Sequence, residues 1–265
     1  MLDRLFTDPL QLGLAQALAA GIVAYAVVLI ARGRKIHLER EAAVALVRGL
    51  VQIIAVGSVL VLLLHSSSWI GAPALAAMIV AAGVTSSKRA KGVPGSLGVS
   101  TIAIACGAGS VIAVMAWLGV IDTAITTLIP VGSMLIANAM NTNGLALNRF
   151  RSDVLAHVGE IETALALGAD PRQSVAEYVQ ASFEASLIPA IDSLRSLGIV
   201  WIPGLMAGML LSGSRPIYAA IYQFVVLAMI FAASGFTSLV STLLIRTRAF
   251  TDAEQLLLRP GPVSP

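Results

Sequence analysis

The chain has 265 residues, of which 57% are hydrophobic and only 12% are charged, and its mean hydropathy is +0.89. A soluble domain carries about 25% charged residues. This composition therefore excludes an ordinary soluble protein and predicts an all-α polytopic protein embedded in a lipid bilayer. The formal net charge of +3 comes without a basic patch interleaved with aromatic residues, so we expect no nucleic-acid partner.

Seven apolar segments, taken in chain order, are candidates for membrane-spanning helices. They are Leu10–Ala31, Ala42–Leu64, Trp69–Thr85, Leu97–Val120, Thr123–Leu147, Leu197–Ser212 and Pro216–Ile245. A spanning helix needs about 17 to 25 residues, so the third and sixth segments are short and the seventh is long. We expect the short segments to be tilted, broken or re-entrant, and the seventh to extend beyond the bilayer.

Basic residues alternate between successive loops. They follow the first, third, fifth and seventh segments, whereas the intervening loops contain only Arg215. The positive-inside rule then places the N-terminus outside and the C-terminus in the cytoplasm. Residues 1–265 are therefore predicted to form a single transmembrane domain, with a cytoplasmic region at residues 148–196 inserted in it.

The long cytoplasmic loop carries the pattern of a helical hairpin. Its first apolar residues recur at helical spacing: Phe150, Val154, Val158, Ile161 and Leu165. Gly168 stands where a helix C-terminus favours a left-handed residue. Asp170-Pro171 is typical of an N-cap followed by the first helical residue. The loop therefore predicts a rigid projection, the alternative being an amphipathic surface helix with an ordinary turn.

The residues around this turn resemble the coupling loop of ATP-binding-cassette (ABC) permeases, which docks on a separate ATPase subunit. The matching positions are Glu162, Ala164, Gly168, Ala169, Asp170, Pro171 and Gln173. The resemblance implies that these residues contact the ATPase. The proline that closes the importer pattern would fall near Ala181, whereas Pro189 comes eight residues later. Importer architecture as a whole is therefore not implied.

A second resemblance covers the chain from Tyr25 to Arg248. Its motifs, in order, are Arg48-Gly-Leu-Val-Gln52, Ser86-Ser-Lys-Arg-Ala-Lys91, Ile129-Pro-Val-Gly-Ser-Met134, Asn138-Ala-Met140, Leu167-Gly-Ala-Asp-Pro-Arg-Gln173, Leu187-Ile-Pro-Ala-Ile-Asp-Ser193 and Pro203-Gly-Leu-Met206. Together they resemble the FetB-type iron-export permease family, which includes the membrane subunits of plant aluminium-tolerance half-transporters.

This family resemblance implies the permease subunit of an ABC transporter in a bacterial inner (plasma) membrane, exporting iron or another metal. It also implies a homodimer of this chain paired with two copies of a separately encoded ATPase, which would bind ATP and Mg. The chain itself is expected to hold no cofactor and to catalyse no reaction. Its Gly-rich stretch, Lys91 to Gly98, lacks the Gly-Lys-Ser/Thr ending of a P-loop.

Two other functions stay open at this point. The first is an ABC permease for a nucleotide sugar or another small solute. The second is an ATP-independent channel or secondary carrier, which the lack of a buried acidic relay and of an inverted repeat disfavours. We assign no metal site, because Cys106 is the one cysteine and His37, His65 and His157 show no metal-ligand spacing.

Polar side chains inside the apolar segments predict a transport path. Met134, Asn138 and Asn141 lie on one stripe of the fifth segment. Amides are costly in lipid, so these should face protein or water. Further candidates are Arg48 and Gln52 in the second segment and Met206 in the sixth. Interhelical hydrogen bonds and packing are the alternative role of the fifth-segment residues and of Met206. Arg48 could instead extend to the cytoplasmic interface or pair with Glu184 or Asp192.

Two acidic residues near the end of the long loop are candidates for a cytoplasmic gate. Glu184 and Asp192 would close the cytoplasmic mouth of the path. The alternative is that they form ion pairs with Arg48 or Arg195. In the fourth segment, Gly107 and Gly109 are small enough to let a neighbouring helix approach closely.

Overall fold

The computed structural model describes residues 9–32, 39–64, 68–90, 93, 95–251 and 253–258 of the chain. Every regular element in these ranges is a helix, which confirms the predicted all-α class. The chain divides into two compact units, Met1–Ser66 and Ser67–Pro265.

The first unit contains two apolar helices that pack against each other. α1 spans Pro9–Arg32 and α2 spans Glu39–Leu64, so both coincide with the first two predicted segments. The basic residue Arg32 lies in the last turn of α1, where a cation interacts favourably with the helix dipole.

The second unit contains the other nine helices of the described residues. They are α3 (Gly71–Ser87), α4 (Ser96–Ile104), α5 (Ser110–Trp117), α6 (Ile125–Ala156), α7 (Val158–Ala166), α8 (Pro171–Ser174), α9 (Ala176–Ser196), α10 (Gly204–Leu211) and α11 (Pro216–Arg248). A π-helical turn, Ala105–Gly109, joins α4 to α5 without a loop. The fourth predicted segment is therefore one continuous helical stretch with a local bulge.

Helix lengths match a membrane protein. Among the described residues, four helical stretches are long and apolar enough to cross a bilayer: Gln11–Ile30, Arg40–Ser58, Ser96–Trp117 and Pro216–Arg248. α11 has 33 residues and is therefore about 50 Å long, against about 30 Å for the hydrocarbon core. The seventh segment is thus longer than a bilayer requires, and α6 likewise continues past the predicted end of the fifth segment.

The sixth predicted segment is a broken helix. Residues 197–203 form an irregular turn, with an isolated bridge between Leu197 and Trp201. Only Gly204–Leu211 is helical, and eight residues span about 12 Å. Pro203 occupies the N-cap position of α10, which suits a residue that has no N–H to donate to a preceding helix. Of the three forms expected for this segment, the structure shows the broken one.

The core of the second unit has two parts. One apolar cluster joins the π-turn region to α6 and α11 and includes Ile104, Leu135 and Val226, all fully or almost fully buried. The other joins the C-terminal ends of α6 and α11 to α7 and the start of α9, and it includes Phe150 and Ile245. We call the end of the unit that contains this second cluster the loop end.

α11 approaches the π turn more closely than side chains would allow. A Cβ atom on Gly107 would overlap the Thr237 hydroxyl, and would lie 2.6 Å from the Thr237 backbone nitrogen and 2.7 Å from the Ala233 carbonyl oxygen. The absence of a side chain is therefore what permits this contact. The predicted packing role of Gly107 is confirmed.

Candidate functional site

The turn after α7 is built as the sequence predicts. Gly168 has a φ of 90°, a conformation that glycine adopts without steric cost. Its N–H donates to the Leu165 carbonyl, and the Ala169 N–H donates to the Ala164 carbonyl, both at 3.0 Å. These two bonds form a Schellman motif, which satisfies the last carbonyls of the helix.

The chain restarts as a helix immediately after this turn. Asp170 has an extended backbone, and its Oδ1 accepts a hydrogen bond from the Arg172 N–H at 2.6 Å. Pro171 is the first helical residue. An N–H at this position would have no partner within the helix, so its absence from proline costs no hydrogen bond. The predicted N-cap and first helical residue are confirmed. We refer to residues 158–175 as the hairpin.

The base of the hairpin is fixed by packing. Ile161 and Val175 are buried in the loop-end cluster. The His157 ring stacks on Tyr178 with ring centroids 5.1 Å apart. Burial of the phenol, followed by the hydrogen bond and negative charge of Glu177, raises the pKa of Tyr178 to about 12. The phenol therefore stays neutral at physiological pH.

The tip of the hairpin is exposed. Leu167 is 84% exposed, so the tip presents a large apolar side chain to its surroundings. The predicted ATPase-contact residues surround it: Glu162, Gly168, Asp170 and Gln173 are exposed, whereas Ala164, Ala169 and Pro171 are half-buried. The structure thus gathers all seven at one projection, and their contact with an ATPase stays a prediction.

Basic residues collect at the loop end of the second unit. The Arg89 side chain lies against Gly144 on α6, with its Cδ 2.9 Å from the position that a Cβ on Gly144 would take. The Arg248 side chain lies against Gly95, with its Cδ 3.7 Å from the corresponding position. Arg149, also at this end, pairs with Asp153 at 2.9 Å. Arg215 is the N-cap of α11, at the other terminus of that helix from Arg248. Four other basic residues used for the topology prediction lie outside the described residues: Arg34, Lys35, Lys91 and Arg259.

Two predicted path residues meet at the break in the sixth segment. A cavity of about 150 Å³ lies between α6, α9 and α11 and the turn before α10. Its lining residues are Met134, Asn138, Ala190, Ser193, Trp201, Pro203, Gly204, Gln223, Leu227 and Ile230. Asn141 is exposed on α6 outside this cavity. Met206 is joined to it through its N–H, which donates to Gln223 Oε1 at 3.2 Å.

Gln223 was missed by the sequence analysis. It is 1% exposed, and its Nε2 has no hydrogen-bond partner among the described residues. A signal was present, because Gln223 is the one amide side chain in the seventh apolar segment. An amide in such a segment marks a protein-facing or water-facing surface.

Asn138 and Asn143, two of the amide residues of α6, have different surroundings. Asn138 Nδ2 donates to the Met134 carbonyl at 2.8 Å, within its own helix. Asn143 is completely buried, and its Nδ2 donates to Ser86 Oγ on α3 at 2.6 Å. Asn143 therefore holds two helices together, whereas Asn138 faces the cavity.

The predicted gate residues lie on the exposed face of α9. Glu184 Oε1 accepts a hydrogen bond from Gln180 Nε2 at 2.9 Å. Asp192 Oδ1 lies 3.8 Å from the Arg195 guanidinium, with both side chains largely exposed. Because Ser193 and Asn138 line one cavity, this part of α9 lies beside the middle of the predicted fifth segment.

The remaining predicted path residues belong to the first unit. Arg48 and Gln52 line one surface groove on α2, which confirms that they share a helix face. The pairing of Arg48 with Glu184 or Asp192 stays a prediction. Across the described ranges, no group of three or more His, Cys, Asp or Glu side chains is placed to hold a metal ion.

These features define a helical membrane protein with a capped hairpin at one end and a helix break beside a polar cavity. The chain belongs to the family described as Uncharacterised protein family (UPF0014), whose model matches residues 14–250. The predicted resemblance to FetB-type proteins is confirmed by this match and by the relatives below.

Three relatives match almost the whole chain. The UPF0014 membrane protein STAR2 of Oryza sativa subsp. japonica is 34% identical over 246 residues, which are 92% of this chain and 86% of that protein. Protein ALUMINUM SENSITIVE 3 of Arabidopsis thaliana is 32% identical, over 92% and 90% of the two chains. Probable iron export permease protein FetB of Escherichia coli (strain K12) is 31% identical, over 92% and 94%. No solved structure matches the chain.

Proposed function

We propose that this chain is the membrane-spanning permease subunit of an ABC transporter that exports iron or another metal. A separate ATPase subunit would hydrolyse the ATP and bind its Mg, so this chain would not itself be an enzyme. The name of the Escherichia coli relative, a probable iron export permease, supports both the permease role and the substrate. The hairpin is the structural observation that carries the proposal.

The hairpin is suited to transmit force. Only His157 separates α6 from α7, and only Val175 separates α8 from α9. α6 and α9 are also two walls of the cavity. A rigid, close-packed connection transmits a displacement, so a push on the exposed Leu167 tip would move both walls together.

Residues 1–265 would form one permease domain in a bacterial inner membrane, with the N-terminus outside and the hairpin and C-terminus in the cytoplasm. The collection of basic residues at the loop end supports this orientation. The chain would cross the membrane seven times. The sixth crossing would consist of the second half of α9, the turn at residues 197–203, and α10.

Two copies of this chain would assemble with two ATPase subunits. Asp192 and Arg195 are exposed at the depth of the predicted fifth segment, and Asn141 is exposed on α6. Charged side chains inside a membrane face protein or water rather than lipid. A two-fold axis would bring these identical faces together around a central path.

The path would run along Met134, Asn138, Asn141 and Met206. Arg48 and Gln52 of α2 would contribute to it. Glu184 and Asp192 would act as the cytoplasmic gate, with Glu184 at the mouth and Asp192 about two turns deeper along α9. The gate would close when ATP brings the two ATPase subunits together in an alternating-access cycle.

Substitutions in the hairpin test the coupling role. Gly168→Val forces a branched side chain into a φ of 90°, at a cost of about 1 to 2 kcal/mol, and should deform the tip. Glu162→Lys reverses a charge beside it. Both variants should reach the membrane normally but lose ATPase co-purification and substrate-stimulated ATP hydrolysis.

Gly159→Val is the matched control, because this glycine lies in α7 with open space around it. It should retain ATPase binding. Full assembly and full stimulation in both Gly168→Val and Glu162→Lys would show that the hairpin is not the coupling element.

Cross-linking tests the dimer. In a Cys106→Ala background, which removes the one cysteine of the chain, Asn141→Cys should form a disulfide-linked dimer in native membranes upon oxidation. A monomer band in the presence and absence of nucleotide would place Asn141 away from the symmetry axis.

A further inference from the structure

The cavity at the break between α9 and α10 has the features of a binding site. It encloses about 150 Å³, room for a few waters at about 30 Å³ each or for one small polar group. Asn138, Ser193, Trp201 and Gln223 bring polar atoms to a site that lies between apolar helices.

Gln223 has a fixed orientation. Its Oε1 accepts the hydrogen bond from the Met206 N–H at 3.2 Å. Because an N–H can only donate, the amide oxygen must face Met206. The Nε2 therefore points to the other side, where it is buried and has no partner among the described residues. Two N–H donors are thus held ready for an acceptor, and a buried donor left unpaired costs about 1 to 3 kcal/mol.

The first turn of α10 also presents hydrogen-bond donors to the cavity region. The first N–H groups of a helix have no partner within the helix, and here they include those of Gly204 and Leu205. Gly204 lines the cavity. A helix N-terminus carries partial positive charge and favours anions. In membrane transporters, broken helices present their N-termini to anionic groups of the substrate in this way.

We propose that this cavity binds an anionic oxygen group, a carboxylate or a phosphate, with Gln223 Nε2 as its principal side-chain donor. This inference rests on the proposed function, since it assigns a chemical class to the transported species. The group would belong either to an anionic ligand that chelates the exported metal or to a free anion, and the second case would keep the permease role but replace the metal as the substrate. A bare cation does not fit, because none of the described lining residues is Asp, Glu, His or Cys.

Trp201 provides a direct reporter, because it lines the cavity. The chain has three tryptophans, and the other two, Trp69 and Trp117, are 87% and 84% exposed. Trp69→Phe with Trp117→Phe therefore leaves Trp201 as the one tryptophan signal at little structural cost. The full chain in lipid nanodiscs would be titrated with inorganic phosphate, citrate, the aluminium–citrate complex and Zn²⁺, at constant ionic strength.

Gln223→Glu is the decisive variant. It retains an oxygen that can accept the Met206 N–H but replaces the two Nε2 donors with a second oxygen, which carries either a negative charge or at most one proton. Gln180→Glu is the matched control, since it makes the same change at an exposed position on α9. Ser193→Asp places a carboxylate in the cavity without altering Gln223, and serves if Gln223→Glu is not produced.

We expect a saturable change in Trp201 emission with an anionic probe. Affinity should fall at least about tenfold in Gln223→Glu or Ser193→Asp, and stay unchanged in Gln180→Glu. A response to phosphate or citrate alone would identify a free anion, and a response only to aluminium citrate would identify a metal complex. The proposal is overturned by a response to Zn²⁺ alone, by no response to any probe, or by equal affinity in the variants.

These measurements need no ATPase, whereas the hairpin experiment needs no ligand-binding measurement. A chain that binds its ATPase but not anions would refute this inference alone. A chain that binds anions but not an ATPase would refute the proposed function alone.

Discussion

Two interruptions of regular α-helix occur beside α11, and they have opposite surroundings. The π turn at Ala105–Gly109 is closed by α11, whose backbone would stand 2.6 Å from a Cβ on Gly107. The turn at residues 197–203 instead borders a cavity of about 150 Å³, where α11 contributes Gln223. One helix therefore seals the first interruption and leaves room at the second.

This difference separates two uses of irregular backbone in a membrane protein. Backbone polar groups that leave the α-helical pattern are tolerated only where protein covers them or where they line a cavity. The π turn is covered, so its role is to bring α11 close. The turn before α10 lines a cavity, so its freed N–H groups can serve a ligand. Substitutions at the π turn should therefore lower stability, whereas substitutions at the cavity should lower transport.

The largest effect should come from adding a side chain at the π turn, where α11 leaves no room. Gly107→Val would place methyl groups inside the α11 backbone, and such overpacking should destabilise the protein by about 3 kcal/mol. We expect low membrane abundance and a markedly lower melting temperature in detergent. Gly98→Ala is the control, because Gly98 lies on α4 with nothing within 4 Å. Normal stability of Gly107→Val would mean that α11 does not seat on the π turn.

The next effect should come from Asn143, which joins α6 to α3. Asn143→Leu removes the hydrogen bond to Ser86 and should cost about 1 to 3 kcal/mol of stability. Ser86→Ala should act in the same direction. The double variant should be less destabilised than the sum of the two single variants, because they remove one shared interaction. Additive losses in melting temperature would contradict this pairing.

Asn138 should show the opposite pattern, with transport impaired and stability kept. Among the described residues, its amide donates within its own helix, to the Met134 carbonyl, so Asn138→Leu, similar in size, should change stability by less than about 1 kcal/mol. Export measured in vesicles should fall about tenfold at equal membrane abundance, equivalent to about 1.4 kcal/mol. Normal export would reduce Asn138 to a packing residue.

The smallest effect should come from Ser193. Its hydroxyl already donates to the Pro189 carbonyl at 2.8 Å, so it has no proton left for a ligand in the cavity. Ser193→Ala should change both export and stability by no more than about 0.5 kcal/mol. A loss of export as large as that of Asn138→Leu would show that Ser193, rather than Gln223 or Asn138, is the main polar group of the cavity.

Features governed by local sequence were predicted well. Gly168 and Asp170-Pro171 act through backbone conformations that depend on a few neighbouring residues. Helix existence followed from hydropathy. Phe150 and Val154 were predicted to be helical, but not to continue the helix of the fifth segment. Polar and charged residues such as Arg149 end an apolar run without ending a helix.

Features governed by tertiary contacts were not predicted. The extent of the helix break, from Leu197 to Pro203, depends on which groups α6 and α11 present to it. The partnership of Gln223 with Met206 spans two helices, and no periodicity in either helix encodes it. Met134 and Asn138 could be proposed because an amide stands out in an apolar segment, and the same criterion would have found Gln223.

The central claim is that the cavity beside residues 197–203 belongs to an alternating-access path. Accessibility of Ser193→Cys, in the Cys106→Ala background and in complex with the ATPase, tests it most directly with a membrane-impermeant thiol reagent. We expect labelling from the cytoplasmic side without nucleotide and from the outer side with ATP trapped. Labelling from neither side in either state would contradict the account, since the cavity would then be closed to both compartments.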